Sequence, residues 1–256
     1  MTDWTSERAA ELAALLRAAG CVYAEDEAAL LLAEALPQRA AMVARRVAGE
    51  PLEYVLGWVE LGGVRLSLDA GVFIPRQRTV LLIDTAQRLL GAEDALLDLC
   101  CGSGAIGAIL AGRLPGLRVT AADIDPIAVE NAARNLAAFR GKAVVADLFD
   151  GVPRELAGTF AVITANVPYI PTAELAFIAR DAREHEPTAT HDGGEDGLRI
   201  LARVAGQAQS WLAPGGSLLS ECSIGQIEAA LHILEQAGLK ASVQDDGETA
   251  VVIGAQ

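Results

Sequence analysis

Lysine is nearly absent from this chain: only Lys142 and Lys240 are lysines among 20 basic residues, against 34 acids and a net charge of −14. That balance argues against tight binding to bare nucleic acid, which needs a basic surface. Scarce lysine beside abundant alanine speaks of a GC-rich genome, not of a function. Disulfide chemistry is missing too. Of four cysteines two are adjacent, Cys100 and Cys101, and no C-x-x-C occurs, so neither a disulfide framework nor a thiol redox pair is expected. Cys21 and Cys222 sit in apolar contexts and read as small core residues. No apolar run approaches the roughly 18 residues of a membrane span, and the N-terminus carries no signal-peptide pattern. A cytoplasmic protein with no membrane partner is the expectation. Repeats and low-complexity segments are absent. His185 and His191 lie among Glu184, Glu186 and Asp192, but their spacing matches no metal motif, and no metal is expected.

What remains divides in two, since 256 residues suffice for one mid-sized domain and a small one. Residues 1–57 are rich in alanine and leucine at helical spacing. Leu12, Leu15, Leu16 and Ala19 share one face before Gly20; Ala28, Leu31, Leu32 and Ala35 form a second stripe before Pro37; Met42, Val43 and Val47 mark a third, ended by Gly49. These predict a small helical bundle able to grip a protein substrate, with Arg45 and Arg46 as a solvated patch. Residues 58–74 predict a hairpin linker, Trp58–Leu61 and Val64–Leu68 around Gly62-Gly63, with Val64, Leu66 and Leu68 on one side. From 75 to 256 strands alternate with helices, which predicts a doubly wound α/β domain with a mainly parallel sheet. Strands are expected near 95–99, 118–122, 142–146, 160–165 and 216–220, then a closing hairpin over 240–245 and 249–253.

Two motifs carry chemistry. Ala95-Leu96-Leu97-Asp98-Leu99 leads into Cys100-Cys101-Gly102-Ser103-Gly104-Ala105-Ile106-Gly107, a strand, a glycine turn and a helix start. Such a turn lets backbone N–H groups approach a ligand. Asp123-Ile124 ends the next strand, about 20 residues past the glycines, where an acid suits ribose hydroxyls. The stretch also fits G-x-G-x-x-G of nicotinamide enzymes, a weak match alone. Asp98 favours S-adenosyl-L-methionine instead, because a carboxylate suits the cationic amino group of a methionine moiety and would face a pyrophosphate badly. The second motif, Asn166-Val167-Pro168-Tyr169, closes the apolar run Phe160–Ala165. Asn and Pro are ordinary turn residues. The same four also suit holding a planar amide or aromatic amine: Asn166 offers a side-chain carbonyl, Val167 a backbone carbonyl, Tyr169 a ring face, and Pro168 restricts both backbones. Such a motif has no task in hydride transfer.

With these stand Gly49–Gly57, Val72-Phe73-Ile74-Pro75-Arg76, Asp147-Leu148-Phe149, Glu186-Pro187 and Asp192–Leu198. Together, over nearly the whole length, the chain resembles the protein (glutamine-N5) methyltransferases that modify the Gly-Gly-Gln loop of peptide-chain release factors. The resemblance implies a seven-stranded, Rossmann-like class I methyltransferase sheet behind the helical bundle, and a monomer that takes a release factor as protein substrate. It implies a cofactor site at Asp98, Cys100, Gly102, Gly104, Asp123, Ile124, Asp147, Leu148 and Asn166, with Asp147 on the adenine amino group. Asn166, Val167, Pro168 and Tyr169 would form the catalytic site. The chain departs from the family at Val167 for a usual proline, at Gln77-Arg78 for Pro-Glu, and at Cys100 for a glycine. A methyltransferase of nucleobase or small-molecule amines, or a catalytically weak cofactor-binding relative, are the alternatives. The long stretch from Glu174 to Gly197 is expected to be a substrate flap rather than filler.

Overall fold

The computed structural model describes residues 4–256. Four helices come first: α1 (Ala9–Ala18), α2 (Ala24–Ala33), α3 (Leu36–Val47) and α4 (Leu52–Leu56). Their shared core holds Leu12, Ala13, Leu16, Ala28, Leu31, Val43 and Val55. Leu15 and Ala19, expected on the buried face of α1, are exposed. Ala13 takes that place, one residue round the helix. Ala35 is exposed as well, because α2 ends at Ala33 and Glu34 is extended with ψ 161. Nor are Arg45 and Arg46 a free patch. Arg46 Nε reaches Glu27 Oε2 at 2.6 Å, with both side chains 11% exposed, and Arg45 Nη2 donates to the Tyr54 carbonyl at 3.1 Å. Both arginines hold bundle helices together.

Helix α4 faces two cores. Val55 packs into the bundle, while Tyr54 packs with the hairpin and sheet and donates its hydroxyl to the Val72 carbonyl at 2.6 Å. The antiparallel hairpin follows as β1 (Trp58–Leu61) and β2 (Val64–Ser67). Leu66 and Leu68 are buried, but Val64 is 38% exposed because it sits at the turn, beyond the core. After α5 (Val80–Leu89) come β3 (Ala95–Leu99), α6 (Ala105–Arg113), β4 (Arg118–Asp123), α7 (Pro126–Leu136), β5 (Lys142–Val145) and β6 (Phe160–Ala165). Next are the short β7 (Ile170–Pro171), α8 (Arg180–His185) and β8 (Asp192–Gly194). Then α9 (Arg199–Ala208), β9 (Leu212–Ser223), α10 (Ile227–Gln236), β10 (Lys240–Asp245) and β11 (Thr249–Ala255) complete the chain.

The seven-stranded sheet runs β10-β11-β9-β6-β3-β4-β5, parallel except for β11, which is antiparallel to both neighbours. This is the expected doubly wound sheet with its closing hairpin. Leu96 packs on one face, Leu97 and Leu99 on the other, the period-two alternation of a strand buried on both sides. Strand order reverses between β3 and β6, the place where such sheets open a crevice at their carboxyl ends. The hairpin is docked there by α7: Asn131 accepts from the Asp69 N–H at 2.8 Å and donates to the Ser67 carbonyl at 2.8 Å. Residues 71–73 are thereby led past the crevice. Among the described residues no helix is long and apolar enough to cross a membrane.

Candidate active site

A cavity of about 390 Å³ opens at the carboxyl ends of β3, β4, β6 and β9. Its lining includes Cys100, Gly102, Asp123, Ile124, Asp147 and Leu148 at one end and Asn166, Val167, Pro168 and Tyr169 at the other. Residues 71–73 and part of the segment after β7 close it over.

The first end is built on main chain. Asp123 accepts the Gly102 N–H at 2.8 Å and the Asp125 N–H at 3.0 Å, so the tip of β4 holds the glycine turn in place. Burial raises the Asp123 pKa, opposed by those N–H groups. Cys100 stands where a glycine is usual and adopts φ 52, a left-handed conformation open to glycine at no cost and to cysteine with strain. Burial pushes its thiol pKa up, so Cys100 lines the cavity as a neutral group. Ile124, 65% exposed, and Leu148 offer apolar faces. Asp147 is already engaged: Arg203 Nη2 on α9 donates to its Oδ1 and Oδ2 at 3.0 and 2.9 Å.

Two expected ligand contacts lie outside the cavity lining. Gly104 has φ 73, and a Cβ there would come 2.8 Å from the Ala132 Cβ. Its close approach is to α7, and it serves the packing of helix on helix. Asp98 is fully buried on β3. It accepts the Thr164 hydroxyl at 2.9 Å and the Gly107 N–H at 3.2 Å, which ties β3 to β6 and to the first turn of α6. Burial pushes its pKa up to about 7. Its hydrogen bonds come from protein donors, and it caps the first turn of α6.

The second end is built of side chains. Asn166 follows β6 and places Nδ2 at 3.3 Å from the Thr79 hydroxyl. Thr79 donates to Glu221 Oε2 at 2.8 Å. Tyr169 donates its hydroxyl to Glu221 Oε1 at 2.8 Å, and Arg78 Nε meets the same oxygen at 3.0 Å. Burial, with Glu221 beside it, raises the Tyr169 pKa, so the phenol stays protonated. The Arg78 guanidinium lies 5.8 Å from the Tyr169 ring centre. From behind, Gln226 Nε2 donates to the Tyr169 carbonyl at 2.9 Å, and a side chain at Gly197 would overlap that oxygen. Sequence reasoning missed Glu221 and Thr79. Glu221 had a signal: a lone acid directly after the expected strand 216–220 must be paired once it is buried.

The stretch from Glu174 to Gly197 is folded. Parallel pairing of β7 with β8 and the one-and-a-half-turn α8 give it structure of its own. It is anchored where Arg76 Nη2 meets Glu186 Oε1 at 2.6 Å. His191 Nε2 lies 2.9 Å from Glu186 Oε2, near enough for an ion pair though not aligned for a hydrogen bond. His191 also packs edge-on to Phe73, ring centres 5.8 Å apart. Through Pro187, Thr190, His191 and Asp192 it walls the cavity.

Residues 65–181 match the family model of the methyltransferase small domain. The release factor glutamine methyltransferase of Geobacter sulfurreducens is 39% identical over 199 residues, 77% of this chain and 69% of that protein. This chain belongs to the release factor glutamine methyltransferase family. The family member from Bordetella pertussis is likewise 39% identical, over 78% of this chain and 74% of its own. The solved ribosomal protein L11 methylase of Lactobacillus delbrueckii subsp. bulgaricus has a TM-score of 0.54 at 18% identity, covering 74% of this chain and 84% of that one. That likeness speaks to the sheet alone.

Proposed function

We propose that this chain transfers a methyl group from S-adenosyl-L-methionine to the side-chain amide nitrogen of a protein glutamine, in the Gly-Gly-Gln loop of a peptide-chain release factor. One observation carries the reading: a single cavity joins the Asp123 end to the Asn166–Tyr169 end. Asp123, between the Gly102 turn and exposed Ile124, fits a ribose flanked by a planar base. Leu148 would pack on the adenine, and Asp147, held by Arg203, would accept from the adenine amino group. When bound, adenosylmethionine supplies an electrophilic methyl group on a sulfonium that leaves as a neutral thioether.

The chain's own residues overcome a poor nucleophile. An amide nitrogen lends its lone pair to the carbonyl. Asn166 Oδ1 and the Val167 carbonyl accept the two N–H groups and hold the nitrogen toward the methyl, while Tyr169 covers the amide plane. Positioning of this kind contributes on the order of 7–11 kcal/mol in ideal cases, and the two carbonyl dipoles stabilise positive charge growing on nitrogen. A new N–C bond forms as the S–C bond breaks, and the surplus N–H proton leaves to solvent. No side chain is assigned as a general base. Residues 1–57 serve as the module that grips the protein substrate, and the folded segment after β7 shapes the entrance.

The test is labelled adenosylmethionine with a lysate of the source cell, followed by mapping of the methylated peptide. Label on a release-factor glutamine is the expected result. Label on adenine in DNA and on no protein would overturn the reading. Calorimetry adds a check on the cofactor: adenosylhomocysteine should bind and NAD should not.

A further inference from the structure

Glu221 sits 2% exposed on β9, beside a site whose chemistry needs acceptors. An ionised carboxylate can only accept. Its Oε1 takes the Tyr169 hydroxyl and Arg78 Nε, and its Oε2 takes the Thr79 hydroxyl. The single proton of Thr79 is therefore committed to Glu221. Toward Asn166, 3.3 Å away, the Thr79 oxygen offers lone pairs alone. Asn166 must turn its NH2 to Thr79, since the opposite orientation would set two acceptors face to face. That choice turns Oδ1 away from Thr79, in a residue that lines the cavity.

We propose that Glu221 and Thr79 are positioning residues that fix which end of the Asn166 amide meets the substrate. Hydrogen-bond polarity runs one way through the relay: carboxylate, hydroxyl, amide NH2, amide oxygen, substrate N–H. The inference rests on the glutamine reading above and deepens it. A slot presenting two acceptors selects a primary amide, which donates two N–H groups, and rejects a carboxylate of nearly the same shape, which donates none. Discrimination of glutamine from glutamate thus originates in a buried acid that never touches either. Arg78 occupies a position where the family usually has an acid, and here it supplies the counter-charge to Glu221.

Isosteric changes test the relay. Thr79→Val removes the hydroxyl at constant shape, and kcat on a Gly-Gly-Gln peptide should fall roughly 100-fold, the size expected for misplacing a reacting group by about 1 Å. Affinity for adenosylhomocysteine, measured by calorimetry, should stay within about twofold, which also shows that the variant is folded. Thr79→Ser keeps the hydroxyl and should retain most activity. Glu221→Gln can give its own NH2 to Thr79, which frees the Thr79 proton for Asn166 and lets the amide turn round. Its preference for the Gly-Gly-Gln peptide over the same peptide ending in glutamate, read as KM against Ki, should narrow at least about tenfold. Thr79→Val with wild-type kcat, or Glu221→Gln with unchanged discrimination, overturns the relay. Should wild type methylate a different acceptor, the glutamine reading falls; the relay then stands only if Thr79→Val loses kcat on that acceptor and Thr79→Ser keeps it.

Discussion

At the β3–β4 end of the cavity the wall is held through main chain, the Gly102 turn pinned by Asp123 at the tip of β4, which accepts two backbone N–H groups, with Asp147 and Leu148 added from beyond β5. At the β6–β9 end the wall is a chain of side chains, Arg78, Thr79, Asn166, Tyr169 and Glu221, with partners 52 to 143 residues apart. A backbone site tolerates changes of side chain as long as the path of the chain holds. Cys100 illustrates this by taking the left-handed φ of a glycine. A relay of side chains has no such slack, because each donor in it is committed to one acceptor in a fixed direction. The first end should therefore bind robustly, and the second should fail at single atoms.

The sharpest break of that contrast is Asn166→Ala. Removing the amide deletes one charge-stabilising contact, typically worth 10²–10³ in rate, and releases the nucleophile from alignment. A loss of kcat of several orders of magnitude is expected, with cofactor affinity within a few fold. Near-full activity would mean that the substrate amide is held elsewhere, and the two ends would then not divide binding from chemistry.

Asp98 probes the backbone end from beneath. Its folded pKa is near 7, raised from 3.8, so the folded state holds the proton more tightly than the unfolded chain. The stability it contributes is fully present below about pH 4 and is lost as pH rises to about 7. The span corresponds to on the order of 4 kcal/mol. Asp98→Asn keeps an acceptor for the Gly107 N–H and never ionises. Its melting temperature should match wild type near pH 4 and exceed it increasingly up to pH 7, with no further gain above. A constant difference across that range would show that Asp98 is ionised throughout in the folded protein.

How legible each end was follows from how it is built. The sheet, its closing hairpin and the glycine turn were readable because their signals are local: apolar runs, glycines and an acid at a strand tip. Asn166 and Tyr169 stand out in the sequence because four consecutive residues carry the chemistry proposed for them. Asp98 and Gly104 were expected on the cofactor, whereas neither lines the cavity. A strand-end acid and a turn glycine look alike whether they face a ligand or a helix, and only packing against Gly107 and Ala132 decides. Glu221 and Thr79 were not found because their meaning lies in a contact across 142 residues. In the bundle, helical period located α1 and put Leu12 and Leu16 on its inner face, but the edge of that face, Ala13 rather than Leu15 and Ala19, turns on where α2 and α3 dock.

At the proposed ribose position, Asp123→Ala sharpens the comparison by degree. On that reading it leaves ribose hydroxyls unpaired, and it strips the Gly102 and Asp125 N–H groups of their acceptor. Adenosylmethionine should bind about 1–3 kcal/mol more weakly, a graded loss that calorimetry reads directly. Unchanged affinity would mean that the backbone turn suffices without its acid.

The smallest effect is expected at Val167, the one member of the tetrapeptide that acts through main chain. In the proposed mechanism its carbonyl is what the chemistry uses, and proline keeps that carbonyl. Among the described residues the Val167 N–H donates to no main-chain carbonyl, so a proline forfeits no backbone hydrogen bond there. The valine side chain, 2% exposed, packs in the cluster with Leu198 and Leu201, and a proline ring fills nearly the same volume. Val167→Pro should leave kcat within a few fold and, by restricting the unfolded chain, add a few tenths to about 1 kcal/mol of stability. Loss of turnover in a folded Val167→Pro protein would show that the valine side chain or its N–H takes part. This residue would then belong with the intolerant side-chain relay.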